Sequence, residues 1–245
     1  MMQKKIQAAP TIVYPESDGK PMAETDVHRK LMMNFIQMLE NHFQNDDEVY
    51  VSGNLLMYYE EGNPRKSISP DVFVVFGVEK KLRRTYLTWA EANTPDFVLE
   101  IASPSTFTED MGPKKDIYAS VLAVKEYYIY DPLGQIVPSF IGYRLIDGVY
   151  QEIDFVNERL PSTVLGLELG EHEGMLGLYN PNILQWLQTP SKRAETAEAR
   201  ALQEANARQT AEARALQEAD ARQTAEAELA RALAEIERLR AERNN

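Results

Sequence analysis

The sequence predicts an α/β or α+β domain built on a mixed sheet of about six strands and followed by one long C-terminal helix. Three observations carry that prediction. Short runs of β-branched and aromatic residues alternate with segments of helical periodicity, the dipeptide Asp147-Gly148 separates two such runs at hairpin spacing, and beyond residue 190 the chain becomes a repeat rich in Ala, Glu and Arg.

The elements follow in order. Residues 1–23 contain Pro10, Pro15, Gly19 and Pro21 and read as an irregular N-terminal arm. Glu24 to Phe43 places Val27, Leu31, Phe35, Met38 and Leu39 at helical spacing with Thr25 as N-cap, so an amphipathic helix is expected. Val49 to Tyr59 has β character and ends in the turn Glu61-Gly62-Asn63-Pro64; Asp71 to Val78 is a second strand and Phe97 to Ala102 a third. Between them Lys80, Lys81, Arg83 and Arg84 form the densest basic cluster, read either as a solvated face or as a phosphate contact. Lys114 to Val124 reads as a helix after Gly112-Pro113, and Glu126 to Tyr130 as a strand. A helix between two β-runs implies a crossover in a mixed sheet. Phe140 to Ile146 and Val149 to Phe155 form the hairpin around Asp147-Gly148. Trp186 and Leu187 are the last large apolar residues before Thr189-Pro190, so the domain is expected to span 24–190.

Residues 191–245 differ in kind. Ala201 to Ala213 recurs as Ala215 to Ala227 with Asn206 replaced by Asp220, a period of 14 or two heptads. The period and composition specify a long helix. Its seam would be mostly Ala, with Leu202 and Leu216 in one frame and Leu229, Ile236 and Leu239 in a shifted one. Two readings stand: a weak coiled coil, because alanine buries little surface, or a solvated single helix laced by pairs three or four residues apart.

Composition excludes several chemistries. The chain has 245 residues, 44% of them hydrophobic, which suffices for a core plus an appendage. It has no cysteine, hence no disulfide, zinc-thiolate or thiol-nucleophile chemistry, and only three histidines, His28, His42 and His172, which are isolated in sequence and read as structural or exposed. No run reaches the roughly 18 to 20 apolar residues of a membrane span, and Met1 to Pro10 lacks an apolar signal core, so a cytoplasmic protein without membrane association is expected. Of the net charge of −12, the first 190 residues hold 16 basic and 27 acidic groups, a balance of −11. That argues against tight non-specific binding along duplex DNA while leaving room for a local basic cleft.

Carboxylates remain as the source of chemistry. Ser69-Pro70-Asp71 runs into an apolar strand, and Glu100 interrupts Phe97-Val98-Leu99-Glu100-Ile101. On adjacent strands these two acids would suit a hard divalent cation, with the carbonyl of Ile101 or Ala102 as a further oxygen. Lys114 is the candidate cation for charge developing on a phosphorane, sharing a helical face with Tyr118 and lying four residues after Asp110. Each has a plainer reading: Asp71 as a turn cap, Glu100 on a solvated strand face, Lys114 as a surface lysine.

The segments Gly53 to Lys66, Ser69-Pro70-Asp71-Val72-Phe73-Val74-Val75, Val98 to Thr106, the Asp110 and Lys114 pair, Tyr118-Ala119-Ser120 and Glu126 to Pro132 resemble the Uma2 endonuclease family over roughly residues 20–190. Charged helical tails are familiar in its bacterial, notably cyanobacterial, members. The family resembles the PD-(D/E)XK superfamily, which implies a restriction endonuclease-like mixed sheet flanked by helices around a magnesium site. By resemblance, Asp71 matches the Asp of the first element and Glu100 the acid of the second. The lysine usual two residues later is replaced by Ala102, and its role passes to Lys114. Ala123-Val124 stands where a Gly-Val turn is frequent. The resemblance implies an Mg²⁺-dependent DNA endonuclease, with Mn²⁺ as an alternative metal and RNA as an alternative substrate. Asp71 and Glu100 would be the metal ligands, and Asp71, Glu100 and Lys114 the catalytic residues. The competing expectation is an inactive nuclease-fold scaffold that acts in protein interaction through the tail. Homo-oligomers through the sheet edge or the C-terminal helix are compatible with either.

Overall fold

The computed structural model describes residues 12–17, 19 and 25–243, so most of the expected N-terminal arm lies outside the described residues. In chain order the elements are α1 (Asp26–His42), β1 (Val49–Ser52), β2 (Met57–Tyr58), β3 (Ser67–Ile68), β4 (Val72–Phe76), β5 (Tyr86–Leu87), α2 (Thr88–Glu91), β6 (Phe97–Ile101) and α3 (Phe107–Glu109). A π-helical turn (Asp110–Lys114) leads into α4 (Lys115–Ser120), followed by β7 (Glu126–Tyr130), β8 (Phe140–Ile146), β9 (Val149–Glu152), β10 (Leu160–Ser162), β11 (Leu167–His172), β12 (Met175–Asn180), β13 (Gln185–Trp186) and α5 (Pro190–Arg243).

Six strands form the central sheet in the order β1-β4-β6-β7-β8-β9. All neighbours are antiparallel except β6 and β7, which run parallel because α3, the π-turn and α4 carry the chain across between them. Strand alternation divides the interior in two. Val72 and Val74 of β4, Phe97, Leu99 and Ile101 of β6, and Tyr128 and Tyr130 of β7 pack with Leu31, Phe35 and Leu39 of α1 and with Leu167, Leu169, Leu176 and Leu178 of the sheet β10-β11-β12-β13. Phe73 and Val75, Val98, and Tyr127 and Ile129 face the other way, toward Tyr118 and Leu122 and toward Met57, Ile68 and Tyr86 of the small sheet β3-β2-β5. The period of two in each strand thus assigns every residue to one layer or the other.

Helix α1 starts where Thr25 caps it, its side chain accepting from His28 N. The hairpin expected at Asp147-Gly148 joins β8 and β9, and both turn residues have the positive φ a two-residue turn requires, 50° and 80°.

The structure departs from the sequence reading in three places. The run Val49 to Tyr59 is two strands, broken at Gly53-Asn54, where Asn54 has φ 49°. Gly53 passes so close to the Asp71 backbone that a Cβ would sit 2.0 Å from the Asp71 carbonyl oxygen. The helix expected over Lys114 to Val124 is α4 alone, preceded by the π-turn that contains Pro113. Proline has no N–H for the regular ladder, so the turn opens there. The sheet β10-β11-β12-β13 and the sheet β3-β2-β5 were not expected, being built from strands of two to six residues.

Glu126 staples the end of the central sheet to β10. It is fully buried and accepts from Arg144 Nε at 3.0 Å, Arg144 Nη2 at 2.9 Å, Thr163 N at 3.0 Å and Thr163 Oγ1 at 2.8 Å, with Ser162 Oγ also donating to it.

The chain divides into two compact units, 1–190 and 191–245. Helix α5 has 54 residues, about 80 Å at 1.5 Å per residue. Its Leu202, Leu216, Leu229, Leu233, Ile236 and Leu239 are exposed, and ion pairs such as Arg222 with Glu226 at 2.8 Å lace its surface.

Candidate active site

Asp71 stands just before β4. The antiparallel register that pairs Val72 with Leu99, carried one residue further, sets Asp71 opposite Glu100 of β6. Strand pairing ends there, and Asp71 Oδ2 instead accepts from Ile101 N at 2.7 Å. The carboxylate is thereby both a local backbone acceptor and a wall of the cavity described below.

Glu100 lies in a strand whose five residues are all buried. Its parity matches Val98, so it faces α4 rather than the α1 layer or water. Tyr118 Oη donates to Glu100 Oε1 at 2.6 Å, while Lys114 Nζ lies 3.1 Å from Oε2 and 2.9 Å from Asp110 Oδ1. Lys114 and Tyr118, four residues apart, therefore hold the two oxygens of one carboxylate. Asp110, at 1% exposure, projects from the π-turn that also carries Lys114.

The electrostatics follow from burial. Desolvation raises the Glu100 carboxyl to about 8; the Lys114 ammonium opposes that shift, and the charges of Asp71 and Asp110 add to it. Asp110 is raised for the same leading reason. Burial alone disfavours the Lys114 ammonium, yet Glu100 and Asp110 outweigh it, and Lys114 is held protonated.

A cavity of about 330 Å³ opens on this group, lined among others by His28, Asp71, Ser103, Asp110, Lys114 and Gln135. Glu100 is not on its wall and communicates with it through Lys114. One side is fixed by Asp131, whose carboxylate accepts from Leu133 N, Gln135 N and Ile136 N and so folds the loop that presents Gln135.

All three residues singled out in the sequence, Asp71, Glu100 and Lys114, come together. Asp110 joins them. His28, set aside as isolated in sequence, does too: its Nε2 is 3.3 Å from Asp71 Oδ1. The helical periodicity of α1 held a clue, since His28 sits at the capped first turn, but nothing local says which strand end it meets. His172 instead stacks on Trp186, with ring centroids 4.4 Å apart. The basic cluster at 80–84 is committed elsewhere. Arg83 pairs with Glu91 at 2.7 Å and covers the Tyr50 ring, Lys80 donates to Phe43 O, Lys81 pairs with Glu79, and Arg84 pairs with Glu16.

Among the described residues no three His, Asp or Glu side chains converge closely enough to hold a metal by themselves. The donor chemistry nevertheless suits a hard cation. Asp71 and Glu100 supply carboxylate oxygens, and Glu100 Oε2 is a buried acceptor with no hydrogen-bond partner, facing Lys114 alone as an ion pair.

The fold is a mixed α+β domain in which Asp71 and Glu100 stand opposite one another on neighbouring chain segments of the central sheet. The chain belongs to the Uma2 family, described as "Putative restriction endonuclease", whose model matches residues 7–171. A solved structure, that of a putative nuclease belonging to DUF820 from Anabaena variabilis ATCC 29413, is similar with 16% identity and a TM-score of 0.44, covering 60% of this chain and 76% of that one. No curated protein matches. The family match ends before β12, β13 and α5. No helix among the described residues is long and apolar enough to cross a membrane.

Proposed function

We propose that this protein is a metal-dependent endonuclease that hydrolyses phosphodiester bonds of DNA. Asp71 and Glu100 would hold Mg²⁺ or Mn²⁺, with the carbonyl of Ile101 or Ala102 as a third oxygen. When bound, the cation supplies an activated water and neutralises phosphate charge. The observation that carries the reading is Glu100, a carboxylate 1% exposed inside an apolar strand, with one oxygen fixed by Tyr118 and the other shared only with an ammonium. Unlike Glu126, which is satisfied by Arg144, Ser162 and Thr163, Glu100 keeps one oxygen without a hydrogen-bond donor beside a cavity-wall lysine, and acids with titration shifted by burial gather at functional sites.

The chain's own residues have distinct tasks. The Ile101 amide fixes one Asp71 oxygen, the other lies 3.3 Å from His28 Nε2, and the residue lines the cavity. Tyr118 orients Glu100. Lys114 remains protonated and stands on the cavity wall, where its Nζ can donate to a scissile phosphate and stabilise charge that develops in the transition state. The −11 balance of the first 190 residues repels a polyanion, so productive binding depends on the cation as well as on Lys114.

The test is a panel of end-labelled duplex DNA, single-stranded DNA and RNA of one sequence, incubated with the full chain in Mg²⁺, in Mn²⁺ and in EDTA. Internal cleavage of DNA only where cation is present supports the proposal. Cleavage confined to RNA would replace the substrate, and no cleavage of any nucleic acid would favour the scaffold reading.

A further inference from the structure

We propose that α5 pairs antiparallel with α5 of a second copy of this chain, over Ala199 to Ala230. The charge of the helix is confined to one side along this stretch. With heptad positions a to g counted from Ala199 at a, Arg200, Arg208, Arg214 and Arg222 fall at b or c and every glutamate at b, f or g, while Asp220 is the sole charged residue at a, d or e. A solvated single helix has no reason to clear one face of charge, because pairs three or four residues apart form anywhere around its surface. The cleared face carries Leu202 and Leu216, 64% and 68% exposed and one 14-residue repeat apart. Its threonines are satisfied within the helix: Thr210 Oγ1 donates to Asn206 O at 2.8 Å and Thr224 Oγ1 to Asp220 O at 2.9 Å. They can therefore be covered without losing a hydrogen bond.

That the occupant is a second copy follows from the complementarity of the repeat with itself. About a two-fold axis level with Arg214 and Ala215, Leu202 stands opposite the partner's Ala227 and Leu216 opposite the partner's Ala213, so each large side chain meets a small one. Asn206 stands opposite the partner's Gln223 and Gln209 opposite the partner's Asp220, so each polar side chain meets one it can hydrogen-bond. A parallel dimer in register would instead set Asp220 against the partner's Asp220, two like charges in a desolvated seam. Slipping the antiparallel pair by one repeat toward the N-terminus sets Asp220 against the partner's Glu195, and toward the C-terminus it leaves Gln209 against the partner's Ala234. Polar residues in a seam fix register in this way at a cost in stability. Alanine and amide side chains bury little apolar surface, so the dimer is weak, dissociating in the micromolar range. Leu229, Ile236 and Leu239 fall at c or f, off the seam.

The experiment is sedimentation equilibrium of the full chain across the micromolar range, for wild type, the seam variant Leu202→Lys with Leu216→Lys, and the control Leu229→Lys with Ile236→Lys, with helix content checked by circular dichroism. Wild type should dimerise reversibly, the seam variant should raise the dissociation constant by about 10-fold or more, and the control should match wild type. Orientation is read from a spin label on Arg200→Cys, which is unique because the chain has no cysteine and lies at position b, outside the seam. In the antiparallel dimer Arg200 is level with the partner's Leu229, so two labels stand about 44 Å apart along the axis at 1.5 Å per residue. A parallel dimer would bring them within roughly 20 Å. A chain that stays monomeric, a dimer that the seam variant leaves intact or that the control breaks equally, or the short label distance overturns the proposal. None of these outcomes bears on the Asp71 site.

Discussion

Replacing Glu100 by Gln should stabilise the metal-free protein at alkaline pH while abolishing cleavage. Burial, resisted by Lys114 and reinforced by Asp71 and Asp110, lifts the Glu100 carboxyl from 4.5 to about 8. In the unfolded chain the group ionises near its ordinary value. Between the two values the folded state holds a proton that the unfolded state has lost, so stability falls as pH rises through this window and the whole penalty is present above about 8. Lys114 is protonated in both states over this range and adds no slope. At 1.36 kcal/mol per pH unit the window corresponds to an upper bound of roughly 5 kcal/mol, which relaxation around the ion pair reduces. Gln keeps an acceptor for the Tyr118 hydroxyl and cannot ionise. Urea unfolding in EDTA should show variant and wild type nearly equal at about pH 5, and the variant more stable by roughly 2 to 4 kcal/mol at about pH 9. A variant that is less stable at the higher pH would refute the reasoning, because attraction between Glu100 and Lys114 would then exceed the cost of burial.

Gly53→Ala must push the chain away from the Asp71 carbonyl oxygen, which a Cβ would approach to 2.0 Å, and from Ile36 Cδ1 at 2.8 Å. It should cost at least roughly 1 to 3 kcal/mol in thermal unfolding and weaken Mn²⁺ binding through displacement of Asp71. Tyr118→Phe removes a hydrogen bond that favours the ionised form of Glu100, so the pH profile of cleavage should move to higher pH, read from kcat/KM across the range. Arg144→Met leaves the buried Glu126 carboxylate with Ser162 and Thr163 as its remaining close donors. It should destabilise the protein by about 3 kcal/mol in denaturant titration, without a direct effect on the distant cavity. Ala123→Gly relieves a residue held at φ 50° and should stabilise by about 1 kcal/mol in the same titration.

Much of the fold was readable because its signals are local. Thr25 and the spacing from Leu31 to Leu39 specify α1, the short continuous runs of β-branched and aromatic residues in β4, β6 and β7 specify central strands, and Asp147-Gly148 specifies the hairpin. The 14-residue repeat specifies a helix, and Pro190–Arg243 is one. Glu100 stood out in the sequence because an acid inside a run of β-formers conflicts with the pattern around it, and the structure brings Asp71 and Lys114, singled out beside it, to the same place. What the sequence hid was non-local. Short strands such as β2, β3 and β5 carry too few residues for a period, and they exist because other strands offer them edges. His28 and Asp71 are separated by more than forty residues, and only the packing of α1 on β1 and β4 brings them within 3.3 Å. The burial of Arg83 against Glu91 and Tyr50 was hidden in the same way, within what reads as a solvated basic cluster.

We propose that the Asp71, Glu100 and Lys114 constellation hydrolyses phosphodiester bonds. The most direct measurement is nicking of supercoiled plasmid by wild type, Asp71→Ala, Glu100→Gln and Lys114→Ala, purified identically and assayed with Mg²⁺ or Mn²⁺ beside EDTA. The account predicts cation-dependent conversion to open circles by wild type and none by the three variants, Glu100→Gln included although it folds more stably at alkaline pH. Wild-type nicking by Asp71→Ala or by Glu100→Gln would contradict it.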